Sequence, residues 1–255
     1  MTLFEIALLA GSGLVAGMIN AIAGGGTFFT FSALVATGVP AIAANATSAV
    51  AVTPANITST LAYLPEIRRD AGRFKTLIIV SVLGSLFGAW LLTRIENAQF
   101  RALVPWLILL ATALFFASPY IKRFTSRHHT EATTQGPLRR FAGRIFQTVV
   151  AIYGGFFGAG MGIMMLAGLS LTEQENFHTL NALKNLLAML IQITCIALFI
   201  FGGLIDWHAC FLVMAGAIGG GWLGVKVGRK LPEKVIRWVV IGTGAMLTTV
   251  FFVRG

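Results

Sequence analysis

The chain has 255 residues, of which 56% are hydrophobic and 11% charged, with a mean hydropathy of +0.83 and a formal net charge of +10. That balance is too apolar for a soluble globular domain of this length and points to an integral membrane protein. The positive charge does not indicate nucleic acid, because Lys and Arg lie almost wholly in short connections between apolar runs, where cytoplasmic loops collect them.

From the N-terminus, an apolar run from Leu3 to Ala23 stops at Gly24-Gly25-Gly26, and a shorter run from Thr27 to Val39 leaves it. Three residues of poor helix propensity thus interrupt hydrophobic sequence. Backbone without helical hydrogen bonds is tolerated at membrane depth only where protein or a polar cavity satisfies it, so the break reads as a binding site and not as a loop. Ala21-Ile22-Ala23 resembles a signal-peptide cleavage site, but the preceding segment has no basic n-region and carries only Glu5 as a charge, so it is read as mature structure. Runs of about 20 apolar residues, the length that crosses about 30 Å of hydrocarbon, follow at Ala43–Leu64, Phe74–Thr93 and Ala98–Ser118. Beyond a polar stretch, Gly154-Gly155-Phe156-Phe157-Gly158-Ala159-Gly160-Met161-Gly162 breaks another apolar run, and spans follow at Thr179–Gly203, Cys210–Gly228 and Lys234–Val253. Cys195 and Cys210 lie in or beside these runs without motif spacing and read as small buried hydrophobes.

Sliding the sequence on itself by 136 positions superposes Gly26 on Gly162, Asn45-Ala46 on Asn181-Ala182, Asp70 on Asp206, Gly84 on Gly220 and Phe115-Phe116 on Phe251-Phe252. One constant offset that aligns breaks, spans and loops indicates a duplicated unit. The loop from Glu66 to Lys75 carries Arg68, Arg69, Arg73 and Lys75, whereas its counterpart from Leu204 to His208 carries no Lys or Arg, so equivalent loops sit on opposite sides. The expected fold is therefore an all-α polytopic membrane protein built as an inverted repeat. Each half is a Gly-broken re-entrant hairpin or short helix pair plus three transmembrane helices. Residues 1–121 form the N-terminal repeat, 122–143 a cytoplasmic linker and 144–255 the C-terminal inverted repeat.

After each break, the next span carries polar residues on one helical face. Asn45, Ser48 and Asn56, with Thr53 adjacent, match Asn181, Lys184, Asn185 and Gln192 in the second half, Asn45 pairing with Asn181, Ser48 with Lys184 and Asn56 with Gln192. Such amides serve equally well as glue between helices. Two matched rows beside two Gly breaks favour a site, because broken-helix N-termini offer free N–H groups and a positive dipole end to an oxyanion. The expected substrate-binding residues are Gly24, Gly25, Gly26, Thr27, Asn45, Ser48, Gly158, Gly160, Gly162, Asn181, Lys184 and Asn185.

Lys184 lies only a turn or two into its span and has a bland reading, snorkelling to the surface. Against that, a cation near a helix N-terminus opposes the macrodipole unless an anion is present. Lys226, beside Arg229 and Lys230 at a span end, reads as snorkelling. Pro54 is consistent with either a kink or a freed carbonyl, and Glu173, Glu175 and His178 read as loop composition. No catalytic constellation, metal-ligand spacing or nucleotide loop is present in the spans, so no enzyme activity and no cofactor are expected.

The arrangement Gly17-Met18-Ile19-Asn20-Ala21-Ile22-Ala23-Gly24-Gly25-Gly26-Thr27, followed by Val39-Pro40 and Ala44-Asn45-Ala46-Thr47-Ser48, resembles the sulfite exporter TauE/SafE family of membrane permeases. The second Gly-rich break looks like that family's repeated motif, and the resemblance covers essentially the whole chain. Where family members often carry a further Gly and an aliphatic residue after the triple Gly, this chain has Thr27-Phe28-Phe29. The resemblance implies a secondary transporter, multi-pass in the cell inner membrane, that moves a sulfite, sulfonate, thiosulfate or related carboxylate anion by alternating access. The other readings are a small-anion channel and an accessory membrane subunit without transport of its own. Its partners are then a small anion and the lipid bilayer, with no nucleic acid, and a homodimer is compatible with it.

The charge pattern yields a test. Single cysteines at Gly202 to Asp206 should react with an impermeant thiol reagent from outside the cell, and cysteines at Glu66 to Lys75 only from the cytoplasm; labelling of both from one side would contradict the inverted arrangement.

Overall fold

The computed structural model describes residues 1–22, 25–64, 67, 74–126, 137–173 and 177–228, together with 238, 241–242, 245–246, 248–250 and 252. The described residues form helices α1 (Leu3–Ile22), α2 (Thr27–Ala36), α3 (Ala41–Ala62), α4 (Lys75–Leu92), α5 (Asn97–Ser126), α6 (Pro137–Phe156), α7 (Met161–Thr172), α8 (Phe177–Phe201) and α9 (Trp207–Gly228), and no strand is found among them. Gly24, Glu66, Arg68, Arg69, Asp70, Arg73, Glu175, the segment 127–136 and most of the predicted span 234–253 lie outside the described residues.

Helix lengths follow from apolar content and from what stops each run. At 1.5 Å per residue, the 20 residues each of α1 and α6 extend about 30 Å, enough to cross a membrane, whereas α2 and α7, with 10 and 12 residues, reach only about 15–18 Å. Each Gly-broken segment is thus one long arm and one short arm. Gly38, at φ +87°, closes α2: its N–H donates to Val35 O and that of Val39 to Leu34 O, both at 3.0 Å, the paired bonds of a Schellman turn. Pro40 then opens α3, its carbonyl accepting from Ala44 N at 2.7 Å. Pro54 remains inside α3.

The helical boundaries shorten one predicted segment. Of the linker read at 122–143, residues 122–126 continue α5 and 137–143 begin α6. The charges of Lys122, Arg139 and Arg140 gave these turns the composition of a loop, yet each is the polar end of an otherwise apolar helix.

Glycines set the closest helix packing. A Cβ on Gly13 or Gly17 of α1 would collide with the carbonyls of Val213 and Ala217 in α9, and a Cβ on Gly216 or Gly220 of α9 with those of Ala10 and Leu14. Partners ascend together along both helices, so α1 and α9 run parallel in backbone contact, the packing that small residues allow in lipid. The same geometry joins α4 to α6, where Gly88 meets Ile152 and Gly155 meets Ser85. Each pair takes one helix from each half of the chain.

Burial is the reverse of a soluble protein. Ile79, Leu83, Phe87 and Trp90 of α4 and Phe211, Ile218 and Trp222 of α9 are exposed, while Asn20, Thr30, Ser48, Asn56, Ser85, Gln147, Asn181, Lys184, Asn185 and Gln192 are buried. The apolar shell faces hydrocarbon and the polar residues converge inside. Among the described residues, windows at Leu3–Asn20, Lys75–Leu92, Thr179–Phe201 and Trp207–Gly224 are long and apolar enough to cross a bilayer. This is a multi-pass membrane protein. The 22 residues of α3 extend about as far as a span, but its polar row lowers its hydropathy.

Gly220→Ala should lower the melting temperature of the detergent-purified protein by several degrees, since overpacking a tight contact costs about 1–3 kcal/mol. Gly219→Ala, whose added methyl meets open space, should leave it unchanged. Equal effects would mean that the α1–α9 contact is not close-packed.

Candidate functional site

The site is built where α3 and α8 cross. Asn56 donates from Nδ2 to Gln192 Oε1, Thr53 Oγ1 reaches the same acceptor at 3.3 Å, and Asn20 of α1 donates to Asn56 Oδ1 at 2.8 Å. Further along, Asn181 Nδ2 donates to the Tyr63 hydroxyl at 3.1 Å. Partners descend on α8 as they ascend on α3, so the two helices are antiparallel. Asn45 donates to Phe156 O at 3.0 Å, satisfying a carbonyl at the C-terminal end of α6, and the hydroxyls of Ser48 and Thr30 bond each other.

The second break is shaped by left-handed glycine and by an aromatic plug. Gly160 precedes α7 with φ +78°, and a Cβ there would lie 2.8 Å from Ala111 Cβ and 3.1 Å from the Phe28 ring, so both backbone and space require glycine. The Tyr153 hydroxyl donates to Ala159 O at 2.7 Å, and the Phe157 ring packs edge-on against Phe31 at 5.3 Å between centroids. In the first break, Gly26 lies against the Ala16 carbonyl of α1, where no side chain fits. Neither α2 nor α7 has a side-chain N-cap.

Two small cavities open beside these elements. The first, the lysine cavity, is lined by Asn20, Asn56, Met161, Gly162, Lys184 and Asn185; the second, the serine cavity, by Phe31, Asn45, Ser48, Ala49, Phe157 and Phe199, among others. Thr27, Gly158 and Gln192 line both, so the cavities are adjacent. Each has about 20 Å³, where one water takes about 10–15 Å³ by the same measure. Lys184 is only 2% exposed and Asn185 4%. Lys184 Nζ and Asn185 Nδ2 have no hydrogen-bond partner among the described residues, nor has Asn181 Oδ1.

Of the sequence-predicted residues, the structure thus brings Thr27, Asn45, Ser48, Gly158, Gly162, Lys184 and Asn185 to the cavity walls. Gly26 and Gly160 do not line them and serve close backbone packing, and Asn181 sits beside Tyr63. Gly25 is buried but lines neither cavity, and Gly24 lies outside the described residues. Lys184 does not snorkel: its side chain is buried. No group of three or more His, Cys, Asp or Glu able to hold a metal occurs among the described residues.

Comparison with known proteins bears on this arrangement. The profile of the family described as Sulfite exporter TauE/SafE matches residues 9–251. The chain belongs to that family. A probable membrane transporter protein of Haemophilus influenzae is 32% identical over 244 residues, covering 95% of this chain and 92% of its own. The probable membrane transporter protein YfcA of Escherichia coli K12 is 26% identical, covering 96% and 87%, and the probable membrane transporter protein ORF9 of a Sinorhizobium species 22%, covering 92% and 88%. No solved structure matches the chain. Like its TauE/SafE relatives, the chain is a membrane transporter.

Residues lining these cavities that sequence reasoning did not assign to the site include Asn20, Phe31, Asn56, Phe157, Gln192, Cys195 and Phe199. Asn56 and Gln192 were visible as members of the polar rows, and Asn20 lies four residues before the first break. The aromatic residues carried no signal, because Phe is common throughout the spans.

The Asn56–Gln192 contact invites a double-mutant cycle. Asn56→Leu, Gln192→Leu and the double variant should give a stability coupling of about 0.6–1.7 kcal/mol, the range of such bonds in membrane proteins, measured by denaturant unfolding in mild detergent. Additive effects would contradict the contact.

Proposed function

We propose that this TauE/SafE protein is a secondary transporter that carries one small anion at a time by alternating access, with the anion held by Lys184 and Asn185. One observation carries the reading: an ammonium and an amide NH₂ are buried in the same cavity wall without hydrogen-bond partners among the described residues. A buried, uncompensated ammonium costs several kcal/mol, and a bound anion removes that cost. The positive dipole ends of α2 and α7 adjoin the cavity through Thr27, Met161 and Gly162, so the surrounding field has the same sign.

Thr27, Gly158, Met161 and Gly162 border the anion, Asn45 and Ser48 shape the adjoining cavity, and Asn181 holds the approach at Tyr63. Sulfite, sulfonates, thiosulfate and small carboxylates share the required chemistry, a compact oxyanion that accepts from an ammonium and an amide. Alternating access is supported by the packing of α1 on α9 and of α4 on α6, which ties the two halves of the chain into crossed pairs. It is supported also by Asn56 and Gln192, which stand 136 positions apart and bond each other. Matched residues of two inverted repeats meet only at the axis relating them, where transporter sites lie. The small size of the cavities favours a carrier over an open channel, whose conductance would far exceed a carrier's turnover.

In liposomes, Lys184→Met should weaken anion affinity at least tenfold, about 1.4 kcal/mol. Lys184→Arg should keep part of the affinity because the charge survives, and Lys226→Met should have little effect. Equal, small losses for Lys184→Met and Lys226→Met would exclude Lys184 from the site.

A further inference from the structure

We propose that the preferred substrate is a monovalent organic anion bound in two parts, its charged head in the lysine cavity and a short uncharged body in the serine cavity. This rests on the anion-transport reading above and narrows it to a substrate class.

The two cavities differ in chemistry. The lysine cavity offers one cation and one unpartnered amide donor, enough for one oxyanion. No Asp, Glu, His, Lys or Arg lines the serine cavity, and several of its polar atoms are engaged: the hydroxyl of Ser48 with Thr30, Asn45 Nδ2 with Phe156 O, the Gln192 oxygen with Asn56, and the Cys195 thiol with Ser85 O at 3.7 Å. The rings of Phe31, Phe157 and Phe199 and the methyl of Ala49 line the same cavity. A second anionic group placed there would lose its hydration and meet no cation, whereas a methylene gains about 0.8 kcal/mol on burial.

Sequence position sharpens the contrast. Ser48 and Ala49 occupy the places, 136 positions earlier, that Lys184 and Asn185 hold in the second half. One frame thus carries a hydroxyl and a methyl, the other an ammonium and an amide. The shared wall of Thr27, Gly158 and Gln192 makes the cavities neighbours, so a single molecule can occupy both. With the carbon that bears the head at the shared wall and room in the serine cavity for about one or two water-sized groups, the body is about two or three carbons long.

The test is calorimetric titration of the full chain in detergent with propane-1-sulfonate, methanesulfonate and sulfate. Propane-1-sulfonate should bind at least tenfold more tightly than either of the others, and Ala49→Leu, which places a side chain in the serine cavity, should reduce it to the level of methanesulfonate. A second readout needs no substitution: propane-1-sulfonate, but not methanesulfonate, should slow modification of Cys195 by methyl methanethiosulfonate, followed by peptide mass spectrometry. Equal affinities for the three anions, an unchanged preference in Ala49→Leu, or equal protection of Cys195 would overturn the two-part site. If the anions bind equally and Lys184→Met abolishes all binding, the two-part site alone falls; if none binds the unsubstituted protein, the transport reading falls with it.

Discussion

A buried lysine with no hydrogen-bond partner among the described residues, enclosed by helices, is the constraint on which the rest of this structure turns. Lys184 sits in the second turn of α8, close to the positive end of that helix, and the N-termini of α2 and α7 border the same cavity. Each of these adds to the cation instead of offsetting it. Amides could have diluted the charge, yet those of Asn20, Asn56 and Gln192 bond one another, and Asn185 leaves its NH₂ group unpaired as well. This is the setting that the proposed anion would complete. A protein tolerates such a site in hydrocarbon only when something recurrently neutralises it.

The backbone that creates this space depends on residues with no side chain. Gly13, Gly17, Gly216 and Gly220 let α1 and α9 approach to backbone contact, and Gly88 and Gly155 do the same for α4 and α6. Those two parallel pairs flank α3 and α8, which carry the polar rows. At the breaks, Gly26 lies on α1 while Gly160 adopts a left-handed conformation beside Ala111 and Phe28, so each short helix starts inside the protein and not at its surface. The free ends of α2 and α7 are consequences of that placement. Cavity, dipole ends and lysine are thus positioned by close packing some distance from the site itself.

Much of this was legible in the sequence for physical reasons. Hydropathy and Gly breaks located the helices, and the starts of α3 and α8 fall within two residues of the predicted spans, because Pro40 and the polar residues before Phe177 mark them. Helical spacing placed Asn181, Lys184 and Asn185 on one face. Whether Lys184 turned inward could not be read, since depth depends on which helices cover α8, and snorkelling was equally compatible with its position. Glycine was the most ambiguous letter: Gly160 is required by φ, Gly26 by the approach of α1, and Gly158 borders the cavities, three uses that one residue type does not distinguish. The chain ends of α5 and α6 were mistaken for linker because amphipathic helix termini share the composition of loops.

The most direct test is an experimental structure of the protein with a bound sulfonate. The account predicts the oxyanion within about 3.2 Å of both Lys184 Nζ and Asn185 Nδ2, with Thr27 and Gly158 at its edge. An anion bound elsewhere, with Lys184 paired to a carboxylate or extended to the membrane surface, would contradict it.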